Sequence, residues 1–227
     1  MRLLLIRHGQ TPSNVLGLLD TAGFGPELTD LGRQQAAALP ETLVDERIDA
    51  IYASSQHRAQ LTAAPLAAAR GLQVQIRDGI REVGAGDLEM AGDDRSVRTY
   101  QQTVRRWMTG ELDLTMPGGP SGAEVLARFD AVVAEAVDQL RRSVGADGTA
   151  VLVAHGTVLR LWATVRASDL ASIEGALGHP HSLQNTGMII VDEQPGGGWR
   201  LLSWAGRPIG GPGLTDETAE DPTGEDF

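Results

Sequence analysis

The sequence predicts an α/β fold, a three-layer sandwich in which a mostly parallel central sheet is flanked by helices. Short apolar runs alternate with helical patterns along the chain. The runs at residues 3–6 and 150–154 are continuously apolar, which is typical of strands buried on both faces. Because 227 residues suffice for one sizeable core, we expect a single domain over residues 1–210.

The elements are predicted in a regular order. After the first strand, Thr29 caps a helix over residues 30–43, with Pro40 as a kink or an early end. A strand, a helix ended by Gly71 and a further strand follow at residues 49–53, 56–70 and 72–76. The second half is predicted to contain a capping-box helix from Ser121 to about Arg142, the strand at 150–154, helices at 156–165 and 168–177, and a hairpin of strands at 187–192 and 199–204.

Two segments depart from this alternation. Residues 80–120 are glycine-punctuated and contain a helical pattern at 96–108, so we expect a small, mobile lid or specificity region there. Residues 211–227 form an acidic tail, in which residues 215–226 carry six acidic residues and no basic one. This composition predicts a disordered, solvated tail without a chemical role.

Composition excludes several classes of function. The chain has no cysteine and no lysine, which removes thiolate metal sites, cysteine nucleophiles and Schiff-base chemistry. A net charge of −11 does not suit nucleic-acid binding. No apolar run approaches the roughly 20 residues of a membrane-spanning helix, and the first apolar run is too short for a signal peptide. We therefore expect a cytoplasmic protein without membrane or nucleic-acid partners.

One local pattern occurs twice. His8-Gly9 and His155-Gly156 each follow a buried strand and precede a helix. In parallel α/β sheets ligands bind beyond the carboxyl ends of the strands, so the two histidines are expected to face one pocket. A glycine after each histidine allows backbone N–H groups to approach an anion. Paired histidines also suggest a metal site, but no spacing typical of metal ligands completes one.

Five blocks of sequence then point to a known family. They are Arg7-His8-Gly9-Gln10-Thr11 with Asn14, Leu28-Thr29 with Gly32 and Gln35-Ala36, Ser54-Ser55-Gln56-His57-Arg58-Ala59 with Thr62-Ala63, Ile80-Arg81-Glu82-Val83 with Gly86 and Glu89, and Val151 to Gly156. In this order they resemble the histidine phosphatase superfamily, in its phosphoglycerate-mutase-like branch, over about residues 1–205.

The resemblance implies a role for each matched residue. His8 is the expected nucleophile, which forms a phosphohistidine, and its second ring nitrogen donates to a backbone carbonyl. Arg7 and Arg58 are expected to bind the phosphate, as His155 does in the transition state.

Three further residues complete the expected site. Glu82 is the candidate proton donor, with a surface carboxylate in a glycine-rich loop as the alternative. Asn14 is a phosphate ligand or a helix cap, and Gly156 adds a backbone contact to the phosphate. No cofactor or metal is expected. His57, His179 and His181 are interpreted as solvated or structural, with a place on the substrate side of the pocket as the alternative for His57 and His181.

The resemblance leaves three functions open. We expect a metal-independent phosphomonoester hydrolase that acts on a small phosphorylated metabolite, because residues 83–94 are acidic and glycine-rich. A phosphoglycerate mutase would instead need basic residues there to hold a second anionic group. The alternatives are phosphotransfer of the mutase type and a catalytically silent phospho-ligand binding protein. A homodimer is also left open.

Overall fold

The computed structural model describes residues 1–169, 182–216, 218–219 and 221–224. In these residues, seven strands form one sheet in the order β3-β2-β4-β1-β6-β7-β5. The strands are β1 (Arg2–Arg7), β2 (Ala50–Ser54), β3 (Val74–Arg77), β4 (Thr149–Ala154), β5 (Ala167–Ser168), β6 (Met188–Glu193) and β7 (Trp199–Ala205). The first four are mutually parallel, whereas β6 pairs antiparallel with β1 and with β7.

Helices cover both faces of this sheet. They are α1 (Pro12–Val15), α2 (Asp30–Thr42), α3 (His57–Arg70), α4 (Asp94–Met108), α5 (Gly122–Ser143) and α6 (Gly156–Arg166). Alternate residues of β1 point to opposite faces: Leu4 and Ile6 join the core under α2 and α3, and Leu3 and Leu5 join the core under α4, α5 and α6. The predicted three-layer α/β sandwich is confirmed.

The predicted helix boundaries rest on local signals that the structure shows directly. Thr29 caps α2 by accepting a hydrogen bond from Gly32 N, and Ser121 forms a capping box with Glu124 at the start of α5. Gly71 ends α3 in the left-handed conformation with φ of 63°. Pro40 lies inside α2, which continues to Thr42. The loss of one backbone donor so close to the end of the helix does not stop it.

Two predicted features differ from the structure. Ser168, predicted to begin a helix over residues 168–177, lies in the short strand β5, and residues 170–177 of that predicted helix lie outside the described residues. The helix α4 of the predicted lid packs firmly, because Tyr100, Val104 and Trp107 are fully buried. The Tyr100 hydroxyl also donates to the Val83 carbonyl at 3.1 Å. The helix α4 is therefore part of the core on that face of the sheet.

The acidic tail also differs from the solvated segment that the sequence predicts. Leu214 O accepts a hydrogen bond from the Gln35 side chain at 2.8 Å, and Gly224 O accepts one from Leu183 N at 2.8 Å. Asp221 and Thr223 are only 7% and 6% exposed. The described parts of residues 211–224 thus pack against the domain, because their acidic and carbonyl groups find donors there.

The sheet brings two distant segments together. Strands β1 and β4 are parallel neighbours, and Arg7 lies opposite Ala154 in register. His8 and His155 are the next residues along these two strands, and His8 N donates to Ala154 O at 3.0 Å. No helix in the described parts of the chain is long and apolar enough to cross a membrane.

Candidate active site

His8 lies at the carboxyl end of β1 with one ring nitrogen held by the backbone. Its side chain is buried, and Nδ1 is 2.7 Å from the Gly9 carbonyl oxygen. Because a carbonyl only accepts, Nδ1 carries the hydrogen and Nε2 presents a lone pair. Thr62 supports this turn by accepting a hydrogen bond from Gly9 N at 2.9 Å. The orientation of His8 agrees with the sequence prediction for its second nitrogen.

Arg58 joins the two histidines. It enters from the first turn of α3 and is 3% exposed, and its Nε lies 3.2 Å from both His8 Nε2 and His155 Nδ1. The ring centroids of His8 and His155 are 5.1 Å apart. Arg58 Nη2 donates to the Asp20 carbonyl at 2.9 Å, which fixes the far end of the guanidinium. Arg58 is therefore a buried part of the site and not a surface residue.

Three buried donors around these histidines have no hydrogen-bond partner among the described residues. They are Arg7 Nε, Arg58 Nη1 and His155 Nε2. His155 Nε2 carries its hydrogen because Nδ1 accepts from Arg58. An unsatisfied buried donor costs about 1–3 kcal/mol, and more when it is charged. A group of such donors therefore matches a ligand with several acceptor oxygens, of which phosphate is one.

The surroundings keep both histidines neutral. Burial, followed by the positive charges of Arg58 and Arg7, holds the pKa of His8 well below its ordinary value of 6.5. Burial and the Arg58 charge do the same to the pKa of His155. A neutral His8 retains the Nε2 lone pair that a nucleophile needs, and a neutral His155 retains one donor.

Glu82 is buried beside the histidines. Its carboxylate accepts hydrogen bonds from Val83 N at 2.8 Å, Thr157 N at 3.1 Å and Val158 N at 2.9 Å, the last two in the first turn of α6. Burial raises the pKa of Glu82 above its ordinary value of 4.5, although these backbone donors oppose the rise. Oε2 accepts only the longest of the three bonds, so it is the oxygen better able to carry a proton. Its burial excludes the alternative of a surface carboxylate.

Side chains that the sequence analysis missed hold Glu82 in place. Gln56 Oε1 accepts from Glu82 N at 3.0 Å. Arg128 of α5 donates to the carbonyls of Gly79, Arg81 and Glu82 at 2.7–2.8 Å. Gln56 directly precedes α3, whereas Arg128 had no signal in the sequence beyond its place on an amphipathic helix.

Asn14 has the predicted role of a helix cap and also borders the cavity at His8. Its Oδ1 accepts from Thr11 N at 2.9 Å and so completes the cap of α1, and Asn185 Nδ2 donates to the same oxygen at 3.3 Å. Asn185 also donates to the His8 carbonyl at 3.1 Å, a contact that the sequence did not reveal. Asn14 lines a cavity together with His8, Arg58 and Glu82. The amide therefore caps a helix and borders the site.

Arg7 and Gly156 lie at the edge of this group. Both Arg7 Nη atoms are bonded to the chain, Nη1 to the Leu183 carbonyl at 2.8 Å and Nη2 to Asp221 and Thr223. A Cβ added to Gly156 would lie 3.0 Å from Arg7 Nε, so Nε reaches the start of α6 next to His155. Among the described residues, Nε is therefore the one nitrogen of the Arg7 guanidinium without a hydrogen-bond partner.

The remaining histidines and the acids do not extend the site. The His57 ring stacks on Phe24 with centroids 4.7 Å apart, and His179 and His181 lie outside the described residues. In the portion of the chain that the structure describes, no three His, Asp or Glu side chains cluster in a way that could hold a metal ion.

Comparison with known proteins agrees with this arrangement. The chain is 32% identical over 222 residues to a glucosyl-3-phosphoglycerate phosphatase of Mycolicibacterium vanbaalenii, which covers 89% of this chain and 93% of the relative. It is 30% identical over 164 residues to phosphoserine phosphatase 1 of Hydrogenobacter thermophilus, covering 70% and 73%. It is also 34% identical to the PE-PGRS family protein PE_PGRS11 of Mycobacterium tuberculosis, of which it spans only 36%.

A solved structure and a family match complete the comparison. The native structure of a mycobacterial glucosyl-3-phosphoglycerate phosphatase superposes with a TM-score of 0.70 at 28% identity, covering 90% of this chain and 98% of that one. The histidine phosphatase superfamily (branch 1) matches residues 3–206, a span that contains His8, Arg58, Glu82 and His155. The chain therefore belongs to the histidine phosphatase superfamily.

Proposed function

We propose that the protein is a phosphomonoester hydrolase that acts on a small phosphorylated metabolite through a phosphohistidine intermediate. One observation carries the proposal: three buried donors without partners among the described residues, Arg7 Nε, Arg58 Nη1 and His155 Nε2, surround a histidine whose Nε2 presents a lone pair. Phosphoryl transfer needs a nucleophile and donors around the phosphoryl oxygens, and this group supplies both.

The first chemical step follows from the hydrogen-bond pattern. The phosphate takes over the donors of Arg58, which frees His8 Nε2 to attack phosphorus. The N–P bond forms as the P–O bond to the leaving group breaks, and Glu82 gives its proton to the leaving oxygen. The negative charge of the phosphate adds to burial in favouring a protonated Glu82.

The second step reverses the proton transfer. Water attacks the phosphohistidine, its proton passes to the Glu82 carboxylate, and the N–P bond breaks to release inorganic phosphate. His155 Nε2 and the two arginines hold the phosphoryl oxygens in both steps. The residues of the chain supply each group that these steps use, and no cofactor enters the proposal.

The identity of two relatives guides the choice of substrates. The named relatives act on glucosyl-3-phosphoglycerate and on phosphoserine, both small phosphate esters. The test is phosphate release from these two compounds, from 3-phosphoglycerate and from p-nitrophenyl phosphate, each with and without a chelator. We expect turnover that is insensitive to the chelator and a loss of about 10³-fold or more in His8→Ala. His57→Ala is the matched histidine control and should retain most of the activity.

The outcomes separate the alternatives. A substrate with a labelled phosphoryl group tests for the intermediate. Because acid would destroy a phosphohistidine, the enzyme is denatured in alkali after reaction with this substrate. The label should be present on the wild type and absent from His8→Ala. Activity that persists in His8→Ala would contradict the assignment of the nucleophile. Transfer from bisphosphoglycerate to monophosphoglycerate with little hydrolysis would favour a mutase. Binding of phosphate without any turnover would favour a silent binding protein.

A further inference from the structure

The C-terminal segment 221–224 lies against the candidate active site, although it is more than 200 residues away from Arg7 along the chain. Leu183 N donates to Gly224 O at 2.8 Å, and the Gln101 side chain donates to the Pro222 carbonyl at 3.3 Å. Asp221 and Thr223 are both more than nine-tenths buried. The segment is thus held at both the β6 side and the α4 side of the site.

The side chains of this segment hold the guanidinium of Arg7. Arg7 Nη2 donates to the Asp221 carboxylate and, at 3.0 Å, to the Thr223 hydroxyl. Asp221 Oδ1 in turn accepts from Thr223 N at 3.2 Å and from the Thr223 hydroxyl at 3.0 Å, which fixes the carboxylate. Nη1 donates to the Leu183 carbonyl at 2.8 Å, so Nε is the one nitrogen of the Arg7 guanidinium without a hydrogen-bond partner among the described residues.

Asp221 approaches Arg7 away from the cavity where His8 lies. Asp221 borders a cavity with Arg7, Gln10 and Asp216, whereas His8, Arg58 and Glu82 border another. A carboxylate that imitated the substrate phosphate would instead lie between His8, Arg58 and His155. The described contacts of Asp221 include none of these three residues. Asp221 therefore supports Arg7 without occupying the place of the phosphate.

The start of α6 shows where the Nε atom of Arg7 lies. A Cβ added to Gly156 would lie 2.3 Å from Thr223 O and 3.0 Å from Arg7 Nε, so the segment, the arginine and the start of α6 are in direct contact. The guanidinium is planar and rigid, so fixing both Nη atoms also fixes the direction of the Nε hydrogen. Arg7 Nε is thereby kept at the start of α6, beside the residue that follows His155.

We propose that Asp221, assisted by Thr223, is a positioning residue that orients Arg7 so that its Nε donates to the transferred phosphoryl group. The inference rests on the proposed function, in which Arg7 contacts that group. An acidic residue of the C-terminal segment then contributes to turnover although it does not touch the substrate. Because its negative charge also weakens the attraction for a phosphate dianion, its main effect is expected on kcat and not on KM.

The test uses the full-length chain and the isosteric substitution Asp221→Asn, assayed with p-nitrophenyl phosphate. We expect kcat to fall by about 10- to 100-fold, as for other misplaced catalytic groups, while KM stays the same or decreases. Asp221→Glu keeps the charge and should recover part of the loss. Asp216→Asn is the matched control, because Asp216 lies in the same acidic tail but accepts hydrogen bonds from Gln10 and Thr218 instead of Arg7, and its kcat should equal that of the wild type.

A double-mutant cycle distinguishes positioning from a general structural effect. In an Arg7→Ala background, Asp221→Asn should cause no further loss of kcat, whereas a structural role would cause the same loss in both backgrounds. A second readout does not depend on turnover: inorganic phosphate should shift the Arg7 Nε–H NMR signal of the wild type, and this shift should be smaller in Asp221→Asn.

Specific results would overturn the inference. A rise in kcat, or a tighter inhibition by phosphate together with unchanged kcat, would make Asp221 an internal competitor of the phosphate. Equal losses in Asp221→Asn and Asp216→Asn, or additive losses in the cycle, would reduce it to a structural contact. A wild-type protein that hydrolyses no phosphate ester would refute the proposed function, and the NMR signal of Arg7 would then still decide whether Asp221 orients the arginine toward phosphate.

Discussion

At the scale of single residues, Arg58 causes the two histidines to carry their hydrogens on different ring nitrogens. Arg58 Nε donates to His8 Nε2 and to His155 Nδ1, so both of these atoms are acceptors. The proton of His8 then lies on Nδ1, next to the Gly9 carbonyl, and that of His155 lies on Nε2. Once phosphate draws Arg58 away, His8 presents a lone pair and His155 presents a hydrogen, which are the two groups that phosphoryl transfer needs.

Glu82 supplies the first prediction at this scale. If it protonates the leaving oxygen, then Glu82→Gln should slow hydrolysis of an alkyl phosphate such as phosphoserine by about 10²–10⁴-fold, the usual contribution of general acid catalysis. The same variant should lose much less activity with p-nitrophenyl phosphate, because p-nitrophenolate is stable enough to leave without a proton. The measurement is kcat for both esters in the wild type and in the variant.

The ratio of the losses of kcat on the two esters is informative, because a defect in folding or in phosphate binding would affect both esters alike. A variant that simply binds phosphate poorly, or folds incompletely, would lose equal activity on both esters. Equal losses would therefore contradict the role of Glu82 as proton donor. Arg128→Gln is a useful comparison, since Arg128 donates to the Glu82 carbonyl and helps to hold Glu82 in place. Its loss should also slow the hydrolysis of phosphoserine more than that of p-nitrophenyl phosphate. Both decreases in kcat should be smaller than in Glu82→Gln.

At the scale of elements, the start of α2 packs directly on the backbone that follows His8. A Cβ on Gly32 would lie 2.1 Å from Gln10 O and 2.9 Å from Gln10 N, and one on Gly9 would lie 2.6 Å from Gly32 O. Thr29 N also donates to Gln10 O at 2.9 Å. The glycines thus permit a close approach of helix and strand end, which keeps the His8 turn in place.

Gly32→Ala tests this packing, because two effects predict opposite signs. Helix propensity alone predicts a gain of about 1 kcal/mol for alanine in a helix. The contact with the Gln10 backbone predicts a loss of about 1–3 kcal/mol, as for other overpacked sites, since backbone cannot move aside as a flexible side chain does. We expect the loss to win and kcat to fall with it.

Urea denaturation of the variant measures the outcome. Gly213→Ala serves as the control, because a Cβ there meets no atom within 4 Å, and its free energy of unfolding should stay within about 0.5 kcal/mol of the wild type. If Gly32→Ala were as stable as the wild type, the close approach of α2 to Gln10 would not constrain the site.

The elements also show which parts of the structure a sequence can predict. The strands β1 and β4 and the caps at Thr29 and Ser121 were predictable because each depends on residues within a few positions. The contact of Arg7 with Asp221 depends on two residues at opposite ends of the chain, and an acidic, proline- and glycine-containing segment gives the hydropathy of a solvated tail.

The same limit applies within the candidate site. His8, Arg58, Glu82 and His155 could be predicted because they lie in recognisable local motifs, and the structure brings them together. Supporting groups such as Arg128 and Asn185 lie in ordinary helix or loop sequence. Their roles depend on the backbone groups that tertiary packing places beside them. The sequence pattern does not show these contacts.

At the scale of the whole molecule, an acidic protein has arginine side chains buried in its interior. The net charge is −11, yet Arg7, Arg58 and Arg160 are at most 3% exposed. Arg58, Arg7 and Arg128 all lower the pKa of His155, after burial, which is the largest cause. The interior thus excludes protons from the histidines, and this exclusion affects the stability of the fold.

The sign of that effect follows from proton binding. The pKa values of His8 and His155 in the folded protein lie well below 6.5, whereas in the unfolded chain both titrate near 6.5. Below that pH the unfolded state binds more protons than the folded state, so the free energy of unfolding decreases as pH falls. Between pH 7.5 and 5.5 each histidine should therefore contribute to a loss of stability, and the two contributions have the same sign.

Urea denaturation at pH 7.5 and 5.5 tests this prediction when the comparison is made on differences. In His155→Gln, the decrease in the free energy of unfolding between the two pH values should be smaller than in the wild type, whatever the substitution does to stability at either pH. The change in the carboxylates cancels in this comparison. His57→Gln, which removes a ring that stacks on Phe24 at the surface, provides the control. A variant at position 155 that loses as much stability as the wild type would show that His155 is protonated in the folded protein at pH 5.5, and a neutral donor beside His8 would then be excluded at that pH.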